Sequence, residues 1–231
     1  MKNKHKKRTI KHKLALIIFI IGILTLSYEP LTNLYIKKTT DEAFEQEVKP
    51  LKKVVTEEIE AEEEIKEVET TIDPNLPQDT YYDMDNKQLN IGKLSIPSVD
   101  LKLAIIKGVG QDEGDPMEKG AATNKEGQEM GLRNYVLASH AMKNPTLLFS
   151  PLFNVNFEDE IYVTDENKVY VYEVSGIDTV EPERVDILDD VEGRQMLTLY
   201  TCTQAGSKRL VVTADLVDTL DFNEETKLYF N

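Results

Sequence analysis

The sequence predicts an all-β domain, either a closed barrel or a sandwich, that an N-terminal helix holds at a membrane. Three observations predict this architecture: short β-type runs from residue 88 onwards, turn signals between them, and an uncharged apolar stretch near the N-terminus. The 231 residues are enough for one globular domain with appendages.

The first 36 residues have the pattern of an uncleaved signal anchor. Seven basic residues lie within residues 1–13, and the uncharged run Leu14–Leu26 follows them. This run is shorter than the ~20 residues that a helix needs to cross the hydrocarbon core, but extension to Ile36 reaches that length and leaves Glu29 near the outer interface. A cleaved signal peptide needs a small-x-small site, which the next residues lack. We therefore predict a transmembrane anchor over residues 14–36, with the basic tail in the cytoplasm and the C-terminal part outside the cell.

An acidic segment over residues 37–87 follows the anchor. Residues 41–90 hold 16 acidic and five basic residues, and apolar residues among them recur at spacings of three and four. This pattern predicts a weakly amphipathic helix or a flexible stalk that holds the domain off the membrane, because a charge run is usually a solvated face. A coiled coil that binds a partner is the alternative.

Outside the basic tail the protein is strongly acidic. Seven of the 27 basic residues lie in the tail. The rest of the chain has 20 basic and 42 acidic residues, a formal charge of −22. Because such a surface repels phosphate backbones, we do not expect the protein to bind nucleic acid.

The predicted β-domain covers residues 88–231. In KVYVYEVS, Lys168–Ser175, β-branched and aromatic residues alternate with period two, which is typical of a strand. NPTLLFSPL, Asn144–Leu152, predicts one short helix. The other β-type runs are Ile91–Ile96, Leu101–Ile106, Asn134–Ser139, Glu160–Asp165, Met196–Cys202 and Arg209–Val217.

The single cysteine, Cys202, ends one β-type run, and Arg209 begins the next. Two antiparallel strands joined by a short loop bring these ends together. A nearby cation favours thiolate over thiol, and it also stabilises the oxyanion that forms when a thiolate attacks a carbonyl. The plainer alternative is a cysteine that fills the core and an arginine that lies on the surface.

His140 follows a β-type run of small and apolar residues, at the point where a loop begins. A thiol enzyme needs an acid for the leaving amine and a base for the incoming nucleophile, and imidazole suits both tasks. The protein has three histidines, of which His5 and His12 lie in the basic tail. If a histidine of the β-domain assists Cys202, it is therefore His140.

Three features in this order resemble the sortase family. TLYTC, Thr198–Cys202, is similar to the T-L-x-T-C nucleophile motif of the family, and ASHAM, Ala138–Met142, is similar to its histidine motif. Arg209 lies on the following strand, as the family's arginine does. The resemblance covers residues 88–217 and implies an eight-stranded β-barrel with its active site at the last two strands. The N-terminal anchor, without a C-terminal membrane segment, is similar to class A, the housekeeping type.

The resemblance implies a cysteine transpeptidase that cleaves an LPXTG-type sorting signal of exported proteins between Thr and Gly. Cys202 would be the nucleophile that forms a thioester acyl-enzyme. His140 would be the general acid and base, and Arg209 would hold the substrate and stabilise the oxyanion. The acceptor would be an amino group of a lipid-linked peptidoglycan precursor, and no cofactor would be required.

In sortases the loop before the nucleophile strand binds the sorting signal, and here that loop is Val180–Arg194. Its apolar residues either line the pocket for the Leu and Pro of the signal or pack the loop onto the barrel. The candidates for contact with the signal are Ala138, Val185, Ile187, Leu188 and Thr201.

Some relatives are stimulated by Ca²⁺, which they hold with acidic residues before the histidine strand and in the pre-nucleophile loop. Glu126 and Glu129 lie in the first of these regions, but Leu132 stands where an acid is needed. Because Ca²⁺ takes about six to eight oxygen ligands, several of them carboxylates, the site is incomplete and we do not expect Ca²⁺ dependence.

Two other functions remain open. In the first, the acidic stalk binds a partner and the barrel is a passive module. In the second, the protein is a pilin-polymerising sortase with a lysine side chain as acceptor. Such relatives often have a lid with an Asp-Pro-aromatic motif, whereas Met117 follows Asp115-Pro116 and Asn75 follows Asp73-Pro74. We expect the acidic loop that contains Asp115 to be merely solvated.

Overall fold

The computed structural model describes residues 2–49, 89–108, 115–125, 127–203 and 206–231. In these residues a long helix, α1, precedes eight strands. The elements are α1 (Lys2–Glu45), β1 (Asn90–Ile96), β2 (Leu101–Ile106), β3 (Ala121–Thr123), β4 (Asn134–Ala138), β5 (Glu160–Thr164), β6 (Lys168–Val180), β7 (Met196–Cys202) and β8 (Arg209–Asp221).

The eight strands close into a barrel in the order β1-β2-β3-β4-β7-β8-β6-β5. The pairs β2–β3 and β4–β7 are parallel, and the other neighbours are antiparallel. Closure gives every strand a partner on both sides and so removes exposed sheet edges. The prediction of an all-β domain is confirmed, and of its two forms the closed barrel is the one present.

Inward-facing side chains of the strands fill the barrel. Successive side chains of a strand point to opposite faces, so Leu197 and Leu199 of β7 lie in the core while Cys202 at its end is exposed. Burial of each such aliphatic side chain contributes about 1.5–3 kcal/mol. The largest fully buried side chains are Leu94, Ile96, Ile105, Ile106, Tyr135, Leu137, Phe149, Leu152, Ile161, Tyr172, Leu197 and Leu199.

Some element boundaries differ from the prediction. The one short helix predicted within Asn144–Leu152 is a 3-10 helix that lies further along the chain, Ser150–Asn154. Strands β6 and β8 are both longer than predicted. They pair with each other over their whole length, from Lys168 with Asp221 to Val180 with Arg209.

Helix α1 continues past the predicted anchor and packs against the barrel. Ile36, Ala43 and Val48 are each no more than 6% exposed. The small side chain of Ala43 allows close contact with Ala104 and Ile106 of β2.

Hydrogen bonds fix the end of this segment to the start of the barrel. The Asn90 side-chain amide donates to the carbonyl oxygens of Ala43, at 3.0 Å, and Gln46, at 3.2 Å. The Lys49 backbone N–H donates to the Asn90 carbonyl at 2.8 Å. Residues 37–49, which the sequence placed in the stalk, are therefore part of the docked helix and its end. Residues 50–87 of the predicted stalk lie outside the described residues.

Candidate active site

The parallel pairing of β4 with β7 brings His140 and Cys202 to the same end of the barrel. Ala138 is the register partner of Tyr200, and His140 and Cys202 each lie two residues further along. The pairing continues beyond the strands, because the Thr201 hydroxyl donates to the Ser139 carbonyl at 2.7 Å. The imidazole and the thiol thus lie at equivalent positions of two neighbouring strands.

Cys202 is exposed and lies directly opposite Arg209 in the antiparallel pair of β7 and β8. This exposure excludes the interpretation of Cys202 as a residue that fills the core. The guanidinium beside it belongs to the strand partner, as the short loop between the two runs predicted. His140, Cys202 and Arg209 therefore come from three adjacent strand ends.

Tyr200 supports the Arg209 guanidinium. The guanidinium carbon lies 5.4 Å from the centre of the Tyr200 ring, and the Tyr200 hydroxyl accepts a hydrogen bond from the Asn124 side-chain amide. Burial raises the pKa of Tyr200, the Arg209 cation opposes this rise and Cys202 adds to it, so the phenol stays neutral and anchored. Sequence reasoning missed Tyr200, which occupies the variable position of the T-L-x-T-C motif.

One donor of Arg209 has no acceptor. In the part of the chain that the structure describes, the Arg209 Nε–H is buried and has no hydrogen-bond partner. An unsatisfied buried donor costs about 1–3 kcal/mol, and in a native protein it usually has a functional reason. This donor belongs to the residue paired with Cys202.

His140 has a carboxylate partner that the sequence did not reveal. Its Nε2 lies 2.6 Å from Oδ2 of Asp115, whose Oδ1 accepts from the Met117 backbone N–H at 2.9 Å. The Ser139 hydroxyl donates to the carbonyls of Met117 at 3.1 Å and Gly120 at 2.7 Å, which ties this turn to the residue before His140. The expectation that Asp115 is merely solvated is wrong.

The predicted substrate contacts divide into two groups. Ala138 is 2% and Thr201 1% exposed, so their side chains are enclosed in the barrel wall. In the pre-nucleophile loop, Val185 is 68% exposed, whereas Ile187 and Leu188 are half-buried. Ile187 lines a surface cavity of about 280 Å³ that also includes Val180 and Val211.

A lysine joins the loop before β4 to the pre-nucleophile loop. The Lys125 ammonium contacts the Asp190 carboxylate, which also accepts from the Asn134 backbone N–H at 3.2 Å. The Asn134 side-chain amide donates to the carbonyls of Ile187 at 3.1 Å and Asp189 at 2.9 Å. The hydrogen bond from Lys125 is the main reason why the pKa of Asp190 lies below its usual value.

The acidic residues near these loops do not form a metal site among the described residues. No group of three or more His, Cys, Asp or Glu side chains that can hold a metal ion occurs in this part of the chain. Glu129 is exposed, and Glu126 lies outside the described residues.

A comparison of the sequence with known families agrees with the barrel fold and with the three side chains at adjacent strand ends. A family model of the sortase domain matches residues 94–217, more than half of the chain. The protein belongs to the sortase family. Members of this family are cell-wall transpeptidases whose substrates are surface proteins with sorting signals.

The sortase is similar to sortase A proteins of several bacteria. It is 32% identical to sortase A of Streptococcus agalactiae over 240 residues, which cover 96% of this chain and 92% of that protein. It is 39% identical to sortase A of Bacillus anthracis over 148 residues, 63% of this chain and 68% of that protein. The crystal structure of Listeria monocytogenes sortase A superposes with a TM-score of 0.54 at 33% identity and covers 61% of this chain and 96% of that one.

Proposed function

We propose that this sortase is of the class A type, cleaves an LPXTG-type sorting signal between Thr and Gly, and joins the Thr carbonyl to an amino group of a lipid-linked peptidoglycan precursor. The observation that supports this most directly is the exposed Cys202 opposite Arg209, with His140 at the equivalent position of the neighbouring strand. A nucleophile, an oxyanion donor and an acid–base group are what acyl transfer through a thiol requires.

In the first half-reaction the Cys202 sulfur, as thiolate, attacks the carbonyl carbon of the Thr–Gly bond. Negative charge develops on the carbonyl oxygen, and the guanidinium of Arg209, opposite Cys202, stabilises it. The His140 imidazolium gives a proton to the Gly nitrogen, the C–N bond breaks, and the acyl group remains on sulfur as a thioester.

In the second half-reaction the acceptor amine attacks the thioester carbon and loses a proton to the neutral His140. The C–S bond breaks, so that the Cys202 thiolate and the His140 imidazolium are both restored. Because the thioester keeps much of the free energy of the peptide bond, the transfer needs neither ATP nor a cofactor.

The cavity beside the pre-nucleophile loop is the proposed site for an apolar residue of the sorting signal. Ile187 lines it together with Val180 and Val211, and Val211 is the register partner of Tyr200, two residues from Cys202. Leu188 and the exposed Val185 are the proposed further contacts, since they lie on the same short turn, Val185–Leu188.

Asp115 is the proposed positioning residue of His140. Because the Asp115 carboxylate is hydrogen-bonded to Nε2 of His140, Nδ1 is the ring nitrogen that remains to exchange protons with the substrate. Replacing Asp115 with Asn keeps an acceptor near the turn but removes the charge, and a charge-assisted hydrogen bond is worth about 1.5–3 kcal/mol. We expect Asp115→Asn to lower kcat by roughly tenfold with little change in KM for the sorting peptide.

The matched control for Asp115 is Glu118→Gln, which removes an exposed carboxylate from the same turn. It is expected to keep wild-type kinetics. Equal kcat values for the two variants would show that Asp115 has no influence on His140.

We propose that Lys125 holds the loop before β4 and the pre-nucleophile loop together, as Ca²⁺ does in the relatives that it stimulates. Lys125→Ala is then expected to raise KM for the sorting peptide by up to about fivefold, since an ion pair near the surface stabilises the loops only modestly. Lys125→Arg, which keeps the cation, is the control and should change KM little. Because the pKa of Asp190 is lowered in the fold, the pair contributes above about pH 4 and is lost as the pH falls through the folded pKa.

Addition of CaCl₂ or EDTA is expected to leave the steady-state rate of the wild-type sortase unchanged. Stimulation by CaCl₂ that EDTA reverses would refute the proposed role of Lys125.

We also propose that α1 anchors the sortase in the membrane with its N-terminus inside and the barrel outside. By length and composition, the segment Leu16–Glu45 is long and apolar enough to cross a bilayer. The basic cluster of the first 13 residues precedes it, as the positive-inside rule requires for this orientation.

The full-length sortase in detergent, incubated with an LPETG-containing peptide, tests the proposed function by mass spectrometry. The expected result is a covalent adduct on Cys202 with the mass of the peptide up to its Thr, which disappears when triglycine is added as acceptor. A peptide with the same residues in scrambled order is the control. Absence of the adduct with the LPETG peptide, in a protein whose Cys202 still reacts with iodoacetamide, would refute it.

A further inference from the structure

Helix α1 belongs both to the proposed membrane anchor and to the barrel. It runs without interruption from Lys2 to Glu45, including Pro30. Ile36 is 4% exposed within the main apolar cluster of the barrel, and Ala43 packs on β2 about two turns later. Because a continuous helix has no flexible joint, the direction of the anchor fixes the orientation of the barrel.

The length of the anchor places the barrel close to the membrane. Glu29 is the first charged residue after the apolar run and lies at the outer boundary of the hydrocarbon core. A helix rises about 1.5 Å per residue, so Ile36, seven residues later, lies about 10 Å beyond that boundary. The headgroup layer on each side is ~5–7 Å thick, so the first contact of α1 with the barrel falls within a few ångströms of its outer edge.

A contact between Lys143 and Glu29 shows which part of the barrel faces the membrane. The Lys143 ammonium lies 3.6 Å from the Glu29 carboxylate. A charged carboxylate is unfavourable in the hydrocarbon core, so Glu29 marks the interface, and Lys143 lies at the same depth. His140 is three residues before Lys143 and therefore, at full extension, no more than about 11 Å from it.

The apolar side chains of α1 that the barrel leaves exposed agree with a barrel that lies close to the membrane. Tyr28, Leu31, Leu34 and Tyr35 are between 61% and 73% exposed, although they lie next to the segment that packs on the barrel. Tyrosine is enriched where hydrocarbon meets headgroups, and leucine gains free energy from contact with lipid. Lipid is thus the partner that these side chains need.

We infer that the barrel lies directly on the outer face of the bilayer, with the loop after β4 against the phospholipid headgroups and the Cys202 end of the barrel opening at that level. The inference rests on the proposed membrane anchoring. It replaces the picture of a domain held away by a stalk, because Lys49, just after α1, is hydrogen-bonded to Asn90 at the start of the barrel. An enzyme in this position meets a membrane-held sorting signal and a lipid-linked amine without leaving the surface.

Depth measurements on the full-length protein in phosphatidylcholine–phosphatidylglycerol nanodiscs test the inference. In a Cys202→Ala background, single spin labels are placed by Ile20→Cys, Lys143→Cys and Lys168→Cys. Lys143 and Lys168 both have well-exposed side chains. Val169, next to Lys168, shares an apolar cluster with Phe44, which lies 15 residues beyond Glu29 along α1, a rise of about 22 Å.

The label at 20 is expected in the hydrocarbon core, accessible to oxygen and protected from a nickel chelate. The label at 143 is expected at headgroup depth and the label at 168 in water. If the labels at 143 and 168 are both fully in water while the label at 20 is in lipid, the inference is overturned but the proposed anchor is not. A label at 20 that is itself in water would overturn the proposed anchoring and the inference together.

A variant that undocks α1 gives a second measurement. Ala43→Asp places a carboxylate against Ala104 and Ile106 and is expected to move the label at 143 into water while the label at 20 stays in lipid. If the label at 143 keeps its depth in a variant whose barrel still melts cooperatively, docking of α1 does not set the orientation.

Discussion

Replacing Cys202 with alanine is expected to abolish transfer of an LPXTG peptide to an amine, with a fall in kcat of about 10⁴-fold or more. The sulfur is the atom on which the proposed mechanism holds the acyl group, and the protein has one cysteine, so no other thiol can replace it. The measurement is chromatographic detection of the ligated product from LPETG peptide and triglycine, with the full-length protein.

The fold should survive this substitution. Cys202 is exposed, so its removal leaves no buried cavity, and we expect the free energy of unfolding to change by no more than ~0.5 kcal/mol. Thermal unfolding of both proteins, followed by circular dichroism, checks this. Ligation at a near wild-type rate by the alanine variant would refute thioester catalysis and would favour the alternative of a passive barrel whose acidic segment binds a partner.

Local patterns in the sequence predicted most of the barrel. Alternation in Lys168–Ser175 and the apolar runs of Met196–Cys202 and Arg209–Val217 correspond to β6, β7 and β8. β3 was missed because its three residues, Ala121–Thr123, are too few to show a period of two. Its place in the sheet depends on parallel pairing with β2 and antiparallel pairing with β4, which are long-range contacts that local alternation does not encode.

The candidate site residues at strand ends were predictable from the sequence. A residue that reaches the site through packing between distant segments was not. His140, Cys202 and Arg209 are rare or charged residues at the ends of apolar runs, and the strand pairing brings those ends together. Asp115 precedes His140 by 25 residues and reaches it because the Ser139 hydroxyl holds the intervening turn. No spacing rule links an acid in one turn to an imidazole on another strand.

The docking of α1 shows the same limit for a larger element. The sequence identified an apolar helix and an acidic segment, and the natural interpretation was an anchor followed by a stalk. Ile36, Thr40 and Ala43 form a buried stripe at helical spacing, but they lie just outside the purely apolar run and among charged residues. Only the complementary surface of β2, with Ala104 at the point of contact, reveals that this stripe has a partner.

Replacing Arg209 with alanine is expected to lower kcat by about 10²–10³-fold, the size of effect seen when an oxyanion donor is lost. Two proposed contributions disappear together: the stabilisation of the developing oxyanion by the guanidinium and the positive charge opposite Cys202. KM for the sorting peptide should change much less, because the donor acts on a charge that exists only in the transition state.

Arg209→Lys separates the two contributions. An ammonium keeps the charge but lacks the planar guanidinium that packs over the Tyr200 ring and offers several donors in a fixed geometry, so kcat is expected to remain at least about tenfold below the wild type. Lys208→Ala removes the neighbouring cation, whose partner is the exposed Glu181, and is the matched control that should keep wild-type kcat. Full activity of Arg209→Lys would show that charge alone suffices. An equal loss in Lys208→Ala would show that the general positive potential of the β7–β8 turn, and not a directed donor, stabilises the transition state.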